Sequence, residues 1–234
     1  MHRKLNVRLL PIAFMILFVS GCASTYSTRS VEPSGFLGDY SQMRAGAEED
    51  VQLIYVNPQA DFGRYRKIMM DPVSVYVTPD SYLRKVPKEQ LSMLVNELDA
   101  AIKTQLTPHY EFVHEPQAGA MRLRIAITEA QGANVALDTV STVVPVGLAI
   151  SAARRAVFGT HSSIGKAGIE MEILDAETGQ RLWAMVDERA GRKITGKFDK
   201  FSKWRTTHDA SEYWADLVKE RLESLQAEHA ASTP

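Results

Sequence analysis

The side chains able to do chemistry are few and scattered. The chain has one cysteine, Cys22, and six histidines. A metal site needs three or more ligands converging from neighbouring elements. His109 and His114 are five positions apart, so on a strand through Tyr110 to His114 they point to opposite faces. His109 and Glu111 would share a face, but two ligands without a third make no site. A nucleophilic hydrolase would need hydroxyl, imidazole and carboxylate together. His161-Ser162-Ser163 and His208-Asp209 supply the types, yet no Gly-x-Ser-x-Gly elbow presents a serine. The glycine-rich dinucleotide loop and the phosphate-binding Gly-Lys-Ser/Thr loop are also missing from the sequence. The sequence therefore offers no candidate catalytic, cofactor-binding or metal-ligating residue. Asp187-Glu188-Arg189 suits solvated charges at a hairpin end better than an acid pair.

Cys22 is the exception, because its surroundings are specific. His2, Arg3, Lys4 and Arg8 make a basic start, and Leu9 to Val19 form an apolar run broken by Pro11. That run is too short to span a bilayer and has the layout of a secretory signal. Val19-Ser20-Gly21-Cys22 resembles a bacterial lipobox. The resemblance implies a diacylglyceryl thioether on Cys22, cleavage before it and acylation of the freed amine. Each buried methylene contributes about 0.8 kcal/mol, so one chain anchors reversibly whereas roughly three anchor stably. Ala23 follows where an aspartate would imply inner-membrane retention. The expected address is therefore the outer membrane, lipid-anchored and facing the periplasm. With its one cysteine so used, the fold contains no disulfide even in an oxidising compartment.

Processing would leave enough chain for one ordinary domain with a sizeable core. Losing Arg3, Lys4 and Arg8 makes the formal charge more negative than its starting −1. A mildly acidic chain gives no electrostatic footprint for nucleic acid. The expected organisation is a signal peptide over 1–21, a lipidated cysteine and flexible tether over 22–34, one periplasmic domain over 35–228 and a frayed tail over 229–234. The Ser- and Thr-rich tether would span on the order of 20 Å.

Several elements must support that domain. Val51 to Val56 is strand-like and closes at Asn57-Pro58. Lys67 to Val77 is a second strand interrupted by Pro72, which predicts an edge or a bulge. Pro87 opens a helix with Leu91, Leu94, Val95, Leu98, Ile102 and Leu106 on one face, ending at Thr107-Pro108. Met121, Leu123, Ile125 and Ile127 alternate with Arg122, Arg124, Ala126 and Thr128, the pattern of a half-buried strand. Ile169, Met171 and Ile173 lead through Asp175 to Gly179 into Leu182, Ala184 and Val186, a hairpin whose two apolar sets would share a face. Glu170 and Glu172 would then lie outward, beside Arg122 and Arg124 if the strands are neighbours. Asp209 with Glu212 predicts a capping box for a last helix packing through Trp214, Leu217, Val218, Leu222 and Leu225. Strands, helix, strands and helix in this order predict an α+β two-layer sandwich, its sheet mixed but mainly antiparallel and its helices largely on one face.

Gly35-Phe36-Leu37 with Asp39-Tyr40, Tyr55-Val56-Asn57-Pro58, Asp71-Pro72-Val73, Pro145-Val146-Gly147, Glu170-Met171-Glu172, and Asp175 through Thr178-Gly179 to Asp187 and Gly191 resemble one group of proteins. These are proteobacterial outer-membrane lipoproteins forming a domain-of-unknown-function family, number 3313. The resemblance is collinear over most of the mature chain. It implies a lipoprotein domain and brings no catalytic residues.

Two stretches stand out as interaction surfaces. Between Asp138 and Arg154 no residue is charged, and Pro145-Val146-Gly147 breaks the run; Val143, Val144, Val146 and Leu148 are its apolar candidates. From Arg189 to Arg205, cations interleave with aromatics through Lys193, Lys197, Phe198, Lys200, Phe201, Lys203, Trp204 and Arg205. That composition suits an anionic lipid surface or an envelope polymer. The bland alternatives are core packing for the first and a solvated loop for the second. The function expected is a non-catalytic, outer-membrane lipoprotein domain that binds an envelope partner and needs no cofactor. An envelope hydrolase and a self-associating structural component are the competing classes.

Overall fold

The computed structural model describes residues 25–27, 31–47, 50–131, 165–191 and 205–232. The strands among them are β1 (Thr25–Ser27), β2 (Arg44–Ala45), β3 (Leu53–Val56), β4 (Lys67–Met70) and β5 (Ser74–Val75). They continue with β6 (Glu111–Phe112), β7 (Ala120–Gln131), β8 (Lys166–Asp175) and β9 (Arg181–Gly191). The helices are α1 (Lys88–Leu106) and α2 (Arg205–Ser232). One sheet runs in the order β2-β3-β9-β8-β7-β4-β6, with β1 also on β9 and β5 also on β7. The long strands β7, β8 and β9 are antiparallel, and β4, β5 and β6 pair in parallel. This is the expected mixed α+β sheet.

Both helices cover one face. Leu94, Leu98, Ile102 and Leu106 of α1 join Ala210, Trp214, Val218 and Leu222 of α2 over Met121, Leu123, Ile125, Ile169, Met171, Ile173, Trp183 and Met185. Removing a buried side chain as large as Trp214 from such a core costs about 3–5 kcal/mol. The other face is covered too. Leu37, with Val31, Phe36, Tyr40 and Met43 around it, packs on Ala184 and Val186. We call residues 31–45 the strap.

Covering both faces changes several expectations. Trp183 pairs with Ile173, Met185 with Met171 and Asp187 with Ile169, so those residues share the helix face with the β8 apolar set. Leu182 sits at a register shift and reaches the helix-side core, whereas Ala184 and Val186 turn to the strap. Leu182, Ala184 and Val186 are therefore not one face. Glu170 and Glu172 lie under the strap, 0% and 1% exposed, and not on an outer solvated face. Asp187 and Arg189 are likewise buried, where solvated charges were expected.

Other boundaries moved. Thr25–Ser27, expected within a solvated tether, pairs with Ser27↔Arg189 through Thr25↔Gly191. The strand expected over Lys67 to Val77 is two pieces with a bulge between: the five residues from Met70 to Ser74 oppose the four from Leu123 to Ala126. Pro72, lacking an N–H, sits in that break. Tyr110 to His114 shrinks to Glu111–Phe112. Asp209 lies inside α2, which already begins at Arg205, so it is no cap. The same helix continues past Gln226 to Ser232, where fraying was expected; His229 Nε2 lies 2.9 Å from Asp61 Oδ1 there.

Candidate functional site

The strap is fixed to the sheet by buried charge. Tyr40 donates its hydroxyl to Glu170 Oε2 at 2.5 Å and accepts from the Gly35 and Leu37 N–H groups. The Ser34 N–H donates to the other Glu170 oxygen. Burial, then the hydrogen bond to Glu170, pushes the Tyr40 hydroxyl up to about 12. Glu172 accepts from Arg124 on one side and from Arg181 Nε at 2.9 Å on the other. Arg181 also donates to the Leu37 and Asp39 carbonyls, at 2.7 and 2.6 Å, and the Arg124 guanidinium lies 5.0 Å over the Phe36 ring. Gly35 and Gly38 take positive φ of 100° and 75°, which lets the strap turn tightly above these carboxylates. The Arg–Glu adjacency expected across β7 and β8 is present, with Arg124 opposite Glu172; Glu170 instead opposes Ala126, and Arg122 pairs with Asp71.

Two more aspartates close the hairpin and the helix side. Asp175 accepts from Arg64, the Tyr65 hydroxyl and the Glu177 and Thr178 N–H groups. Burial works to raise its carboxyl, but those hydrogen bonds outweigh it and hold it below the ordinary value. Asp187 Oδ2 accepts from Trp214 Nε1 at 2.6 Å, while Oδ1 has no hydrogen-bond partner among the described residues. Burial pushes Asp187 up to about 6 against the pull of Trp214 and Arg189. The Arg189 guanidinium stacks 3.9 Å over the Tyr213 ring. Glu170, Glu172, Asp175 and Asp187 are all held by internal partners. Their chemistry is that of positioning: they lock strap, hairpin and α2 onto the sheet.

A different feature gathers at one end of the sheet. The last residue of β7, Gln131, pairs with the first of β8, Lys166; Lys166 pairs with Ala190, and the next residue of β9, Gly191, pairs with Thr25. The segments 132–164 and 192–204 therefore leave from one end, beside the start of β1.

The residues singled out from sequence distribute unevenly. Cys22, Ala23, Val143, Val144, Val146, Leu148, Lys193, Lys197, Phe198, Lys200, Phe201, Lys203 and Trp204 lie outside the described residues, as do His161, Ser162 and Ser163. Arg205 is the first residue of α2. His109 lies in the turn after α1, with Nδ1 3.6 Å from Glu223. His208 meets Glu97 and Glu212, and the bond to Glu97 raises its imidazole pKa against desolvation. Its carboxylate partners are thus Glu97 and Glu212, not the neighbouring Asp209. No group of three His, Cys, Asp or Glu able to hold a metal occurs among the described residues. Nor is any helix among them long and apolar enough to cross a membrane. The carboxylates beneath the strap were missed from sequence. The unbroken apolar run Leu182–Val186 was the signal, since a strand apolar on both faces must be covered on both.

The chain is similar in structure to several solved proteins. A PelC dodecamer from Paraburkholderia phytofirmans is 12% identical over 74% of this chain and 94% of that one, with a TM-score of 0.37. A protein of Xanthomonas campestris from the DUF330 family is 11% identical over 76% and 94%, with a TM-score of 0.39. A DUF4136 family protein from Bacteroides thetaiotaomicron is 13% identical over 74% and 98%, with a TM-score of 0.35. These scores are too low to transfer a function. No curated protein matches the chain. The family model described as protein of unknown function (DUF3313) matches residues 32–218, from the strap to α2, and the chain belongs to that family.

Proposed function

We propose that the chain is an outer-membrane lipoprotein acylated on Cys22, whose periplasm-facing domain binds an envelope partner and does no chemistry of its own. The observation that carries this reading is the shared sheet end. The strand register brings the exits of 132–164 and 192–204 to β1, whose first residue follows Cys22 closely. The apolar segment containing Val143, Val144, Val146 and Leu148 and the basic aromatic one containing Lys193, Lys197, Phe198, Lys200, Phe201, Lys203 and Trp204 would both start where the lipid is attached. An anionic surface suits that composition: aromatic rings settle among headgroups while cations meet phosphates.

The test is binding of the unlipidated chain to anionic vesicles. Neutralising Lys197, Lys200 and Lys203 together should weaken it on the order of a hundredfold, since each cation near such a surface adds roughly a fivefold factor. A chain that never binds anionic vesicles removes lipid as the partner. Crosslinking in intact cells then identifies a protein or polymer in its place.

A further inference from the structure

The end of the sheet that carries β1 also carries a basic, partly apolar loop. Between β5 and α1 the chain reverses there. The Tyr76 N–H donates to the Ile127 carbonyl at 2.9 Å, the Ser81 hydroxyl to the Thr128 carbonyl at 3.3 Å, and the Tyr82 N–H to the Glu129 carboxylate at 3.1 Å. Residues 76–88 are thereby pinned to the last third of β7, next to Gln131. Tyr76 and Val77 are 40% and 46% exposed, unusual for large apolar side chains among the described residues. Arg84 and Lys85 of the loop and Lys88 at the start of α1 are exposed as well, against Asp80 in the loop and Glu89 just after Lys88. Lys85 Nζ lies 5.5 Å over the Tyr82 ring, and Arg84 donates to the Pro79 carbonyl at 3.2 Å. Neither contact neutralises the cation.

The anchor is close by. Only Ala23 and Ser24 separate Cys22 from β1, so three Cα steps allow at most about 11 Å between the lipidated residue and the sheet. From β1 to β7 is three strand spacings, roughly 14 Å. A domain tied so shortly at β1 has little freedom to lift this end from the leaflet that holds its acyl chains. The opposite end, the turn after Asp175, lies about 30 Å away along β8.

We propose that residues 76–88 make a second contact, in cis, with the anionic phospholipid surface carrying the Cys22 anchor, so that the domain stands on this end of its sheet. The proposal rests on the acylation of Cys22. Val77 and Tyr82 supply the apolar surface and ring that settle at headgroup depth, beside Tyr76, whose ring meets Phe36 of the strap edge-on. Arg84, Lys85 and Lys88 meet the phosphates, each strengthening the contact roughly fivefold.

The test uses the full lipidated protein in vesicles of phosphatidylethanolamine and phosphatidylglycerol. A single fluorophore is placed through Val77→Cys or Glu177→Cys; Cys22 cannot react because its sulfur is a thioether. Spin-labelled headgroups should quench the label at 77 and leave the label at 177 at background. Reversing charge by Arg84→Glu, Lys85→Glu and Lys88→Glu should remove most of the quenching at 77 while the protein stays on the vesicles. Moving the unaltered protein into purely zwitterionic vesicles should produce the same loss without any mutation in the loop. Equal quenching at 77 and 177, or quenching indifferent to both charge reversal and lipid charge, overturns the proposal. A protein that leaves the vesicles and takes up label on Cys22 overturns the acylation reading itself, a distinct result.

Discussion

Asp187 gives the structure its most direct thermodynamic signature. Its carboxyl is 0% exposed, its ordinary value is 3.8, and burial raises it to about 6 in the folded chain. A carboxyl raised on folding is more stable neutral than charged. Its favourable contribution is fully present below about pH 4 and is lost as pH rises through about 6. The shift corresponds to about 3 kcal/mol between those limits. Asp187→Asn removes the titration while keeping an oxygen for the Trp214 indole. Arg189, Asp50 and Tyr213 also surround the site, and all three remain in the variant. Urea unfolding of both proteins, followed by tryptophan fluorescence between pH 4 and 8, isolates the effect. The stability of the variant relative to the native chain should increase by about 3 kcal/mol from pH 4 to pH 8, whatever constant offset the amide introduces. A difference that is flat with pH, or that runs the other way, refutes the claim that Asp187 ionises at a cost inside the fold.

Further outcomes follow from the same contacts. Glu172→Ala leaves Arg124 and Arg181 without their shared carboxylate and should cost about 3–5 kcal/mol, read from denaturant midpoints. A double-mutant cycle on Arg124 and Glu172 should show coupling of about 0.5–3 kcal/mol, while a cycle on Arg124 and Glu170 should show much less. Gly179 has a φ of +71° and open space where a Cβ would go, so Gly179→Ala should cost only the conformational term, about 1–2 kcal/mol, seen as a lowered melting temperature.

Much of the architecture was legible because single-sided elements announce themselves. The helix from Lys88 to Leu106 buries one periodic set, and the strand from Ala120 to Gln131 buries Met121, Leu123, Ile125 and Ile127 as read, although Ala126 on its other face is buried too. The hairpin of β8 and β9 was recognisable in outline, but its register was not. Alternation assumes one wet face, and here the strap buries the second, placing Glu170 and Glu172 in the interior. Charged residues in a strand look solvated until their partners are known; Tyr40 and Ser34 come from a distant part of the chain, and Arg181 reaches Glu172 from the next strand of the hairpin. β1 was missed for a related reason. Thr-Tyr-Ser is short and polar, and its strand conformation comes from pairing with β9 rather than from any local apolar pattern. The residues through which the sequence resembles the family, including Gly35, Tyr40, Glu170, Glu172, Asp175 and Asp187, fall on these internal locks.

The proposed anchor is the sulfur of residue 22, and mass analysis of the N-terminal peptide from the membrane fraction tests it most directly. The expected result is a mature chain starting at Cys22 that carries a diacylglyceryl group and an amide-linked fatty acid. A chain that retains Met1, or that begins at Cys22 with a free thiol and fractionates away from membranes, would contradict it.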